Sequence, residues 1–331
     1  MSSRATIEEV AATAGVSRST VSRVLNGSSA VSPEALESVR EAIAKLNYVP
    51  NRAARSLASQ QTYAIALIVP EDTTRFFGDP FFASIVAGIT GALGGSDYLL
   101  NVLVASDDPG NKMTSFVRNG GVDGALIVSH HASDAFIEQI ADVVPVVYGG
   151  RPVHPRANDY YVDVDNVAGA RVATEHLISR GYTRIATISG PLTMFPSIDR
   201  SQGFRTALQN AGLTPFTEVE GDYTEESGAE AAARILETGT PDAIFAASDL
   251  MARGALRTLR SAGFRVPEGV ALMGFDDAAV SASLDPPLTT VRQPMYELGE
   301  TMANVLLARL AGGSPEHVTI LPTELVVRAS A

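Results

Sequence analysis

The chain contains no cysteine, which excludes disulfides, thiolate metal sites and cysteine nucleophiles and leaves the redox compartment open. No stretch reaches the roughly 18 uninterrupted apolar residues of a membrane span. Met1 to Thr13 has no basic segment leading into an apolar run with a small-residue cleavage site. The expectation is therefore a cytoplasmic protein with no membrane partner. Signatures of common catalytic sites are missing too: there is no G-x-G-x-x-G after an apolar run, no G-x-x-x-x-G-K-[ST], no G-x-S-x-G and no H-E-x-x-H. His130-His131 is the only histidine pair, and no carboxylate triad matches it, so it reads as a strand-end loop and not as a metal or acid–base site. Neither an enzyme nor a bound metal or cofactor is expected.

What is present suits a soluble protein of two or three domains: 331 residues, 45% of them apolar. The net charge of −12 is unevenly placed. Residues 1–61 hold seven Lys/Arg against five Asp/Glu, or +2, which leaves 18 against 32, or −14, for the rest. An acidic body repels nucleic acid, so any DNA affinity must come from a few well-placed basic groups and from dimerisation.

Those groups lie in Ile7 to Gly27, which reads as two short helices joined at Gly15. Thr6 and Glu9 have the spacing of a capping box, and Ile7, Val10, Ala11 and Ala14 recur at helical spacing. Ser17 can cap a second helix, with Val21, Val24 and Leu25 on its packing side. Arg18, Ser19, Ser22, Arg23 and Asn26 then share an arc of about 140° with no acidic residue. Any amphipathic surface helix separates polar from apolar residues. The small residues, the Gly turn, the Ser cap and the acid-free Arg/Ser/Asn face together point to a helix-turn-helix that reads the major groove. Ser32-Pro33-Glu34 starts a third helix with Leu36, Val39, Ile43 and Leu46 as its apolar stripe. Asn51 to Ala58 is helix-compatible but about two turns long, too short to hold by itself, which predicts a conditional helix. Its Leu57 either packs as a linker residue or wedges into the minor groove.

The runs T-I-E-E-V-A, A-G-V-S-x-x-T-V-S-R-V-L-N, V-S-P-E and L-N-Y-V-P-N-R-A-A-R-S-L resemble the headpiece and hinge of the LacI/GalR repressor family almost continuously over residues 4–60. The resemblance implies base contacts chiefly from Arg18, Ser19 and Arg23, a hinge helix placing Leu57 at the operator's centre, and a homodimer on a pseudo-palindromic double-stranded operator. The DNA-contacting set it implies is Thr6, Ser17, Arg18, Ser19, Thr20, Ser22, Arg23, Asn26, Asn51, Arg52, Ala54 and Leu57.

From Thr62 onward, short apolar runs alternate with amphipathic helices. Ala64 to Val69, Leu99 to Val104, Gly124 to Val128, Val143 to Tyr148, Arg184 to Ser189, Asp242 to Ala247 and Val270 to Phe275 read as buried strands. Met295 to Ala311 reads as a helix and Thr319 to Val327 as a final strand. Two doubly wound α/β lobes follow, and in open α/β sheets ligands sit beyond the carboxyl ends of strands. Those ends offer Asp72, the Phe-rich loop 70–82 with four of the twelve Phe, Tyr148, Arg151, Asp249 and Asp276, while Arg200 opens a helix. Rings beside carboxylates suit a sugar; helix caps and core plugs are the plainer alternatives.

This part is similar to the same family's effector domain, a type I periplasmic-binding-protein fold, through A-A-S-D-L-M-A-x-G-A-L, R-x-x-G-F-R-x-A-L and G-F-D-D. The likeness implies effector contacts from Phe81, Arg200, Asp249 and Asp276, with crossover strands near 159–165 and 289–293. The loop 70–82 is similar to that of actinobacterial cellobiose- and maltose-type regulators, which favours a disaccharide effector. Expected boundaries are a headpiece at 1–50, a hinge at 51–61 and an effector and dimerisation domain at 62–331, with lobe 1 about 62–161 and 294–321 and lobe 2 about 162–293 and 322–331. The expected function is a sugar-released repressor. A corepressor-dependent regulator, or one with a non-sugar effector, shares this fold, and a solute-binding protein shares the body but needs an export signal and no headpiece.

Overall fold

The computed structural model describes residues 5–25, 30–48, 61–108 and 110–331, and the chain divides into two compact units, Met1–Thr62 and Tyr63–Ala331.

In the first unit, helix α1 spans Ile7–Ala14, α2 Arg18–Leu25 and α3 Pro33–Leu46. The capping box forms reciprocally, with the Thr6 amide donating to Glu9 at 2.8 Å and the Glu9 amide to Thr6 Oγ1 at 3.3 Å. Gly15 ends α1 at φ 67°, a conformation open to glycine at little cost. Ser17 accepts the Thr20 amide at 3.1 Å and so caps α2. Val10, Val21 and Val39 are fully buried between the three helices, and Ala42 takes the remaining deep position on α3.

The second unit has two sheets. The larger one is parallel, with strands β1 (Ala64–Val69), β2 (Leu99–Val104), β3 (Gly124–Val128), β4 (Val146–Gly149), β5 (Tyr160–Val164) and β11 (Val318–Leu321) in the order β11-β5-β4-β3-β1-β2. The smaller is also parallel, β6 (Ile185–Ser189), β7 (Glu218–Glu220), β8 (Ala243–Ala246) and β9 (Ala271–Met273) in the order β7-β6-β8-β9. Beside it β10 (Thr290–Arg292) pairs antiparallel with β12 (Glu324–Val326). Helices cover both faces, as buried parallel sheets require: α4 (Thr73–Gly78), α5 (Pro80–Leu93), α6 (Lys112–Arg118), α7 (Phe136–Ala141) and α13 (Met295–Leu310) belong with the larger sheet, and α8 (Asn166–Ser179), α9 (Phe195–Asn210), α10 (Glu225–Thr238), α11 (Asp249–Ser261) and α12 (Ala279–Ser283) with the smaller. Where α5 crosses α13, a Cβ on Gly88 would strike the Tyr296 carbonyl and one on Gly299 the Ile85 carbonyl, so the two backbones touch. No described helix is long and apolar enough to cross a membrane.

Three local expectations give way. The stretch 70–82 is not an open loop: Asp72 and Asp79 each cap a helix, with Pro80 in the first turn of α5. The run Thr319 to Val327 breaks at Pro322, which has no N–H for a ladder, and its halves join different sheets. The strand expected from Val143 begins only at Val146, after Pro145.

Candidate functional site

Two sets of side chains carry chemistry, one in each unit. On the first, Arg18, Ser19 and Arg23 are exposed and Ser22 and Thr20 half-buried, as a reading face requires, while Val21 faces inward. Ser17 bonds Ser19 at 2.7 Å and Thr20 at 2.9 Å, so the hydroxyls at the start of α2 form one connected set. Thr6 stands exposed at the start of α1. The face is free of acids only along α2: Glu8 of α1 reaches Arg18 at 3.3 Å. This carboxylate escapes a reading confined to one helix, and the i, i+1 pair Glu8-Glu9 is its only trace in the sequence. Asn26, Asn51, Arg52, Ala54 and Leu57 lie outside the described residues.

In the second unit a cleft opens at the carboxyl ends of the larger sheet's strands and faces loops of the smaller. It holds about 790 Å³ of space between atoms, its solvent-open mouth included. Phe81, Ile85, Val128, Met295 and Leu298 give one side an apolar wall; Arg200, Asp276, Gln293 and Ser248 give the other a polar one. Arg75, Asp79, His130, Arg151, Asp163 and Asn166 complete the lining together with Met194, Phe195 and Tyr223. Its three guanidinium groups stand beside the three carboxylates of Asp79, Asp163 and Asp276, and two of them are also engaged from outside the lining, Arg75 by Glu71 at 3.3 Å and Arg151 by Asp199 at 2.8 Å.

The polar wall is pre-organised. Arg200, 5% exposed, donates to Asn166 Oδ1 at 2.9 Å and to the Ala247 carbonyl at 2.6 Å, and its guanidinium lies 3.8 Å from the Phe275 ring centroid. Asp276 stands 3.8 Å from it at φ 120°, where residues with a side chain are rare. The turn is held there by the Asp276 amide on the Val291 carbonyl at 2.7 Å and by Arg292 and Arg328 gripping Asp277 at 2.8 and 2.5 Å. Burial raises the Asp276 pKa well above the usual carboxylate range, with the Arg200 charge opposing it. Asp163 links the two sides, accepting the Arg151 amide at 3.0 Å and the Asn166 side chain at 3.1 Å. Burial also lowers His130 to about 4, so the ring is neutral, and its Nε2 sits 3.2 Å from the Arg151 carbonyl.

Of the seven effector residues expected from the sequence, Phe81, Arg151, Arg200 and Asp276 line this cleft. Asp72, Tyr148 and Asp249 do not, each for a physical reason. Asp72 spends its carboxylate on the Arg75 amide at 2.9 Å as a helix cap, and Asp79 is the acid that faces the cavity. Tyr148 falls on the opposite side of β4 from the cleft and packs with Ile137 and Ile140, since successive side chains alternate across a strand. Asp249 is fully buried, accepting Thr290 Oγ1 at 2.6 Å, the Ala278 amide at 2.8 Å and Ser281 Oγ, and so pins the turn that carries Asp276. Burial pushes its pKa up to about 6. Of the four clustered phenylalanines only Phe81 lines the cavity; Phe82 is core and Phe77 is 82% exposed. Met194, Phe195, Asn166 and Gln293 had no sequence signal, because they reach the cleft from helix starts and a crossover segment.

A helix-turn-helix headpiece followed by a two-sheet body with a cleft at its strand ends is the arrangement of a DNA-binding regulator with a small-molecule site. The family model for bacterial regulatory proteins of the lacI family matches residues 6–51 and that for a periplasmic binding protein-like domain matches 174–331. The HTH-type transcriptional regulator CelR of Thermobifida fusca is 44% identical over 99% of this chain and 98% of its own length, and the ribose operon repressor of Escherichia coli is 34% identical over 92% and 93%. Among solved structures, a CelR–cellobiose complex superposes with TM-score 0.79 at 42% identity, covering 99% of this chain and all of that one. The lac repressor dimer bound to operator and the anti-inducer ONPF gives 0.85 at 30%, over 99% of each. The chain belongs to the LacI family of DNA-binding transcriptional regulators.

Proposed function

We propose that two copies of this chain bind a pseudo-palindromic operator and that a glucose disaccharide of the cellobiose type, held in the cleft, releases them. The observation that carries the sugar reading is the composition of the cleft: an apolar wall that includes the Phe81 ring faces fixed hydrogen-bonding groups, and cations do not outnumber carboxylates in the lining. A neutral polyol needs hydroxyl partners of both kinds and one surface for its C–H face, whereas an anionic effector needs an excess of cations. The cellobiose complex of CelR, similar over nearly the whole chain, supports the same ligand class.

Arg200, Asp276, Asp79 and Phe81 are the proposed effector contacts, with Arg151 lining the mouth, and Arg18 and Arg23 the guanine readers, with Thr6, Ser17, Ser19, Thr20 and Ser22 holding phosphates or neighbouring bases. Residues 51–61 are the proposed hinge, folding over DNA with Leu57 at the central step. The protein works as a regulator and not as a catalyst, in the cytoplasm at the nucleoid. Calorimetric titration with cellobiose, maltose, ribose and hypoxanthine tests the ligand. Cellobiose binding far more tightly than ribose or the purine is the expected result, and saturable tight binding of hypoxanthine with none of cellobiose would overturn it.

A further inference from the structure

Arg151 lines the cleft, yet its guanidinium is spent elsewhere. Nη2 lies 2.8 and 3.0 Å from the two carboxylate oxygens of Asp199 on α9, and the guanidinium carbon sits 4.1 Å from the centroid of the Phe195 ring. Arg151 follows β4 of the larger sheet, whereas Asp199 and Phe195 follow β6 of the smaller, so the pair spans the cleft. Two neighbouring strand ends do the same. His131, after β3, has Nδ1 3.4 Å from Thr193 Oγ1, and Arg75, after β1, donates to the Asp222 carbonyl with its guanidinium 5.4 Å from the Tyr223 ring. These are ties between the protein's own groups, made at the ends of three adjacent strands, and of them only Arg151–Asp199 joins two full charges. Its side chains are 39% and 17% exposed, so the pair is better shielded than an ordinary surface bridge.

We propose that Asp199, which does not line the cavity, is a positioning residue for the effector: by holding Arg151 across the mouth it favours the closed arrangement of the two sheets and so sets the affinity for whatever the cleft binds. The proposal rests on the reading that a sugar fills the cleft. If only the closed arrangement binds, the apparent Kd is the intrinsic value divided by the closed fraction. Loosening the latch then weakens every ligand by the same factor and leaves the ranking of ligands alone. A side chain that touches the sugar acts otherwise, because it changes one ligand against another.

The test compares wild type with Asp199→Ala, Asp199→Asn and Asp199→Glu, using cellobiose and maltose as probes in calorimetry. Asp199→Ala should raise Kd for both by about three- to fivefold, the upper range for an incompletely buried pair. Asp199→Asn should fall between it and wild type, and Asp199→Glu should recover most of the loss. The second readout is independent of ligand identity. The chain has no cysteine, so spin labels can be placed on cysteines introduced at exposed Phe77 and Leu192, on opposite sides of the cleft. The free wild-type protein should give a shorter label-to-label distance than Asp199→Ala, and saturating cellobiose should bring the two together. Equal distances in the free proteins, or a changed cellobiose-to-maltose ratio, would overturn the proposal. Failure of wild type to bind either sugar would sink the sugar reading, while the label distances would still judge the latch.

Discussion

In the unit Met1–Thr62 the groups with chemistry stand in solvent: the Arg18 side chain is 71% exposed and that of its ion-pair partner Glu8 61%. In Tyr63–Ala331 the central groups are withdrawn, with Arg200 at 5% and Asp163 at 6%, and each is held by other groups of the protein, Arg200 by Asn166 and the Ala247 carbonyl and Asp163 by the Arg151 amide and Asn166. The two arrangements suit different ligands. DNA brings a dense array of phosphates and base edges to a small rigid face, so flexible exposed donors supported by a minimal core suffice. A neutral small molecule offers few contacts, and its site must be ordered and partly desolvated beforehand so that binding does not have to fix the groups as well.

Each way of breaking that contrast has an expected size. Arg200→Ala should do the most damage. It removes the cation beside Asp276 and leaves the Asn166 side chain and the Ala247 carbonyl without their buried donor, at a cost of about 1–3 kcal/mol for each unsatisfied group, read as a lower denaturation midpoint of the body together with loss of cellobiose binding. Headpiece variants should leave both unchanged. His130→Gln comes next and probes burial through pH. The neutral ring of His130 titrates near 4 in the fold against about 6.5 unfolded, so its contribution to stability is present above about 6.5 and is lost as pH falls toward 4. Between pH 7 and 4 the stability advantage of wild type over His130→Gln should shrink by roughly 3 kcal/mol. The comparison has to be differential, because Asp249, raised to about 6, acts in the opposite direction and stabilises the fold as pH drops through the same window. A difference independent of pH would mean the ring is not held neutral.

Arg18→Ala should cost about 1–3 kcal/mol in operator binding and relax preference at one base pair per half-site; uniform weakening on all sequences would make Arg18 a phosphate contact instead. The smallest effect belongs to Glu8→Gln. Removing an acid from the reading surface should strengthen non-specific DNA binding about two- to fivefold and narrow the gap to the operator, as expected for an exposed pair. Competition assays at fixed salt would show it, and no change in either affinity would make the Glu8–Arg18 contact irrelevant to DNA.

How much of this could be read in the sequence also differs between the units. Thr6, Glu9, Gly15 and Ser17 act within one turn of where they stand, so caps and turn were visible from spacing alone. In the body the strands were visible as apolar runs and the cleft as the set of their ends, but a residue's duty was not. Asp249 and Asp276 look alike in the sequence; one is pinned by Thr290, Ser281 and Ala278 from distant segments, and the other is turned into the cavity by a strained backbone. Asp72 and Asp79 both cap helices, and only three-dimensional direction makes the second a cavity residue. Local chemistry is legible where a residue's partners are its neighbours in the chain.

The coupling of the two units is tested most directly by an operator-release titration with cellobiose on wild type and Asp276→Ala, following operator occupancy at fixed salt. Wild type should leave the operator as the sugar saturates, and Asp276→Ala should bind the operator with unchanged affinity and remain bound at concentrations that empty the wild type. Normal release by Asp276→Ala, or tighter operator binding by wild type as cellobiose rises, would contradict the account.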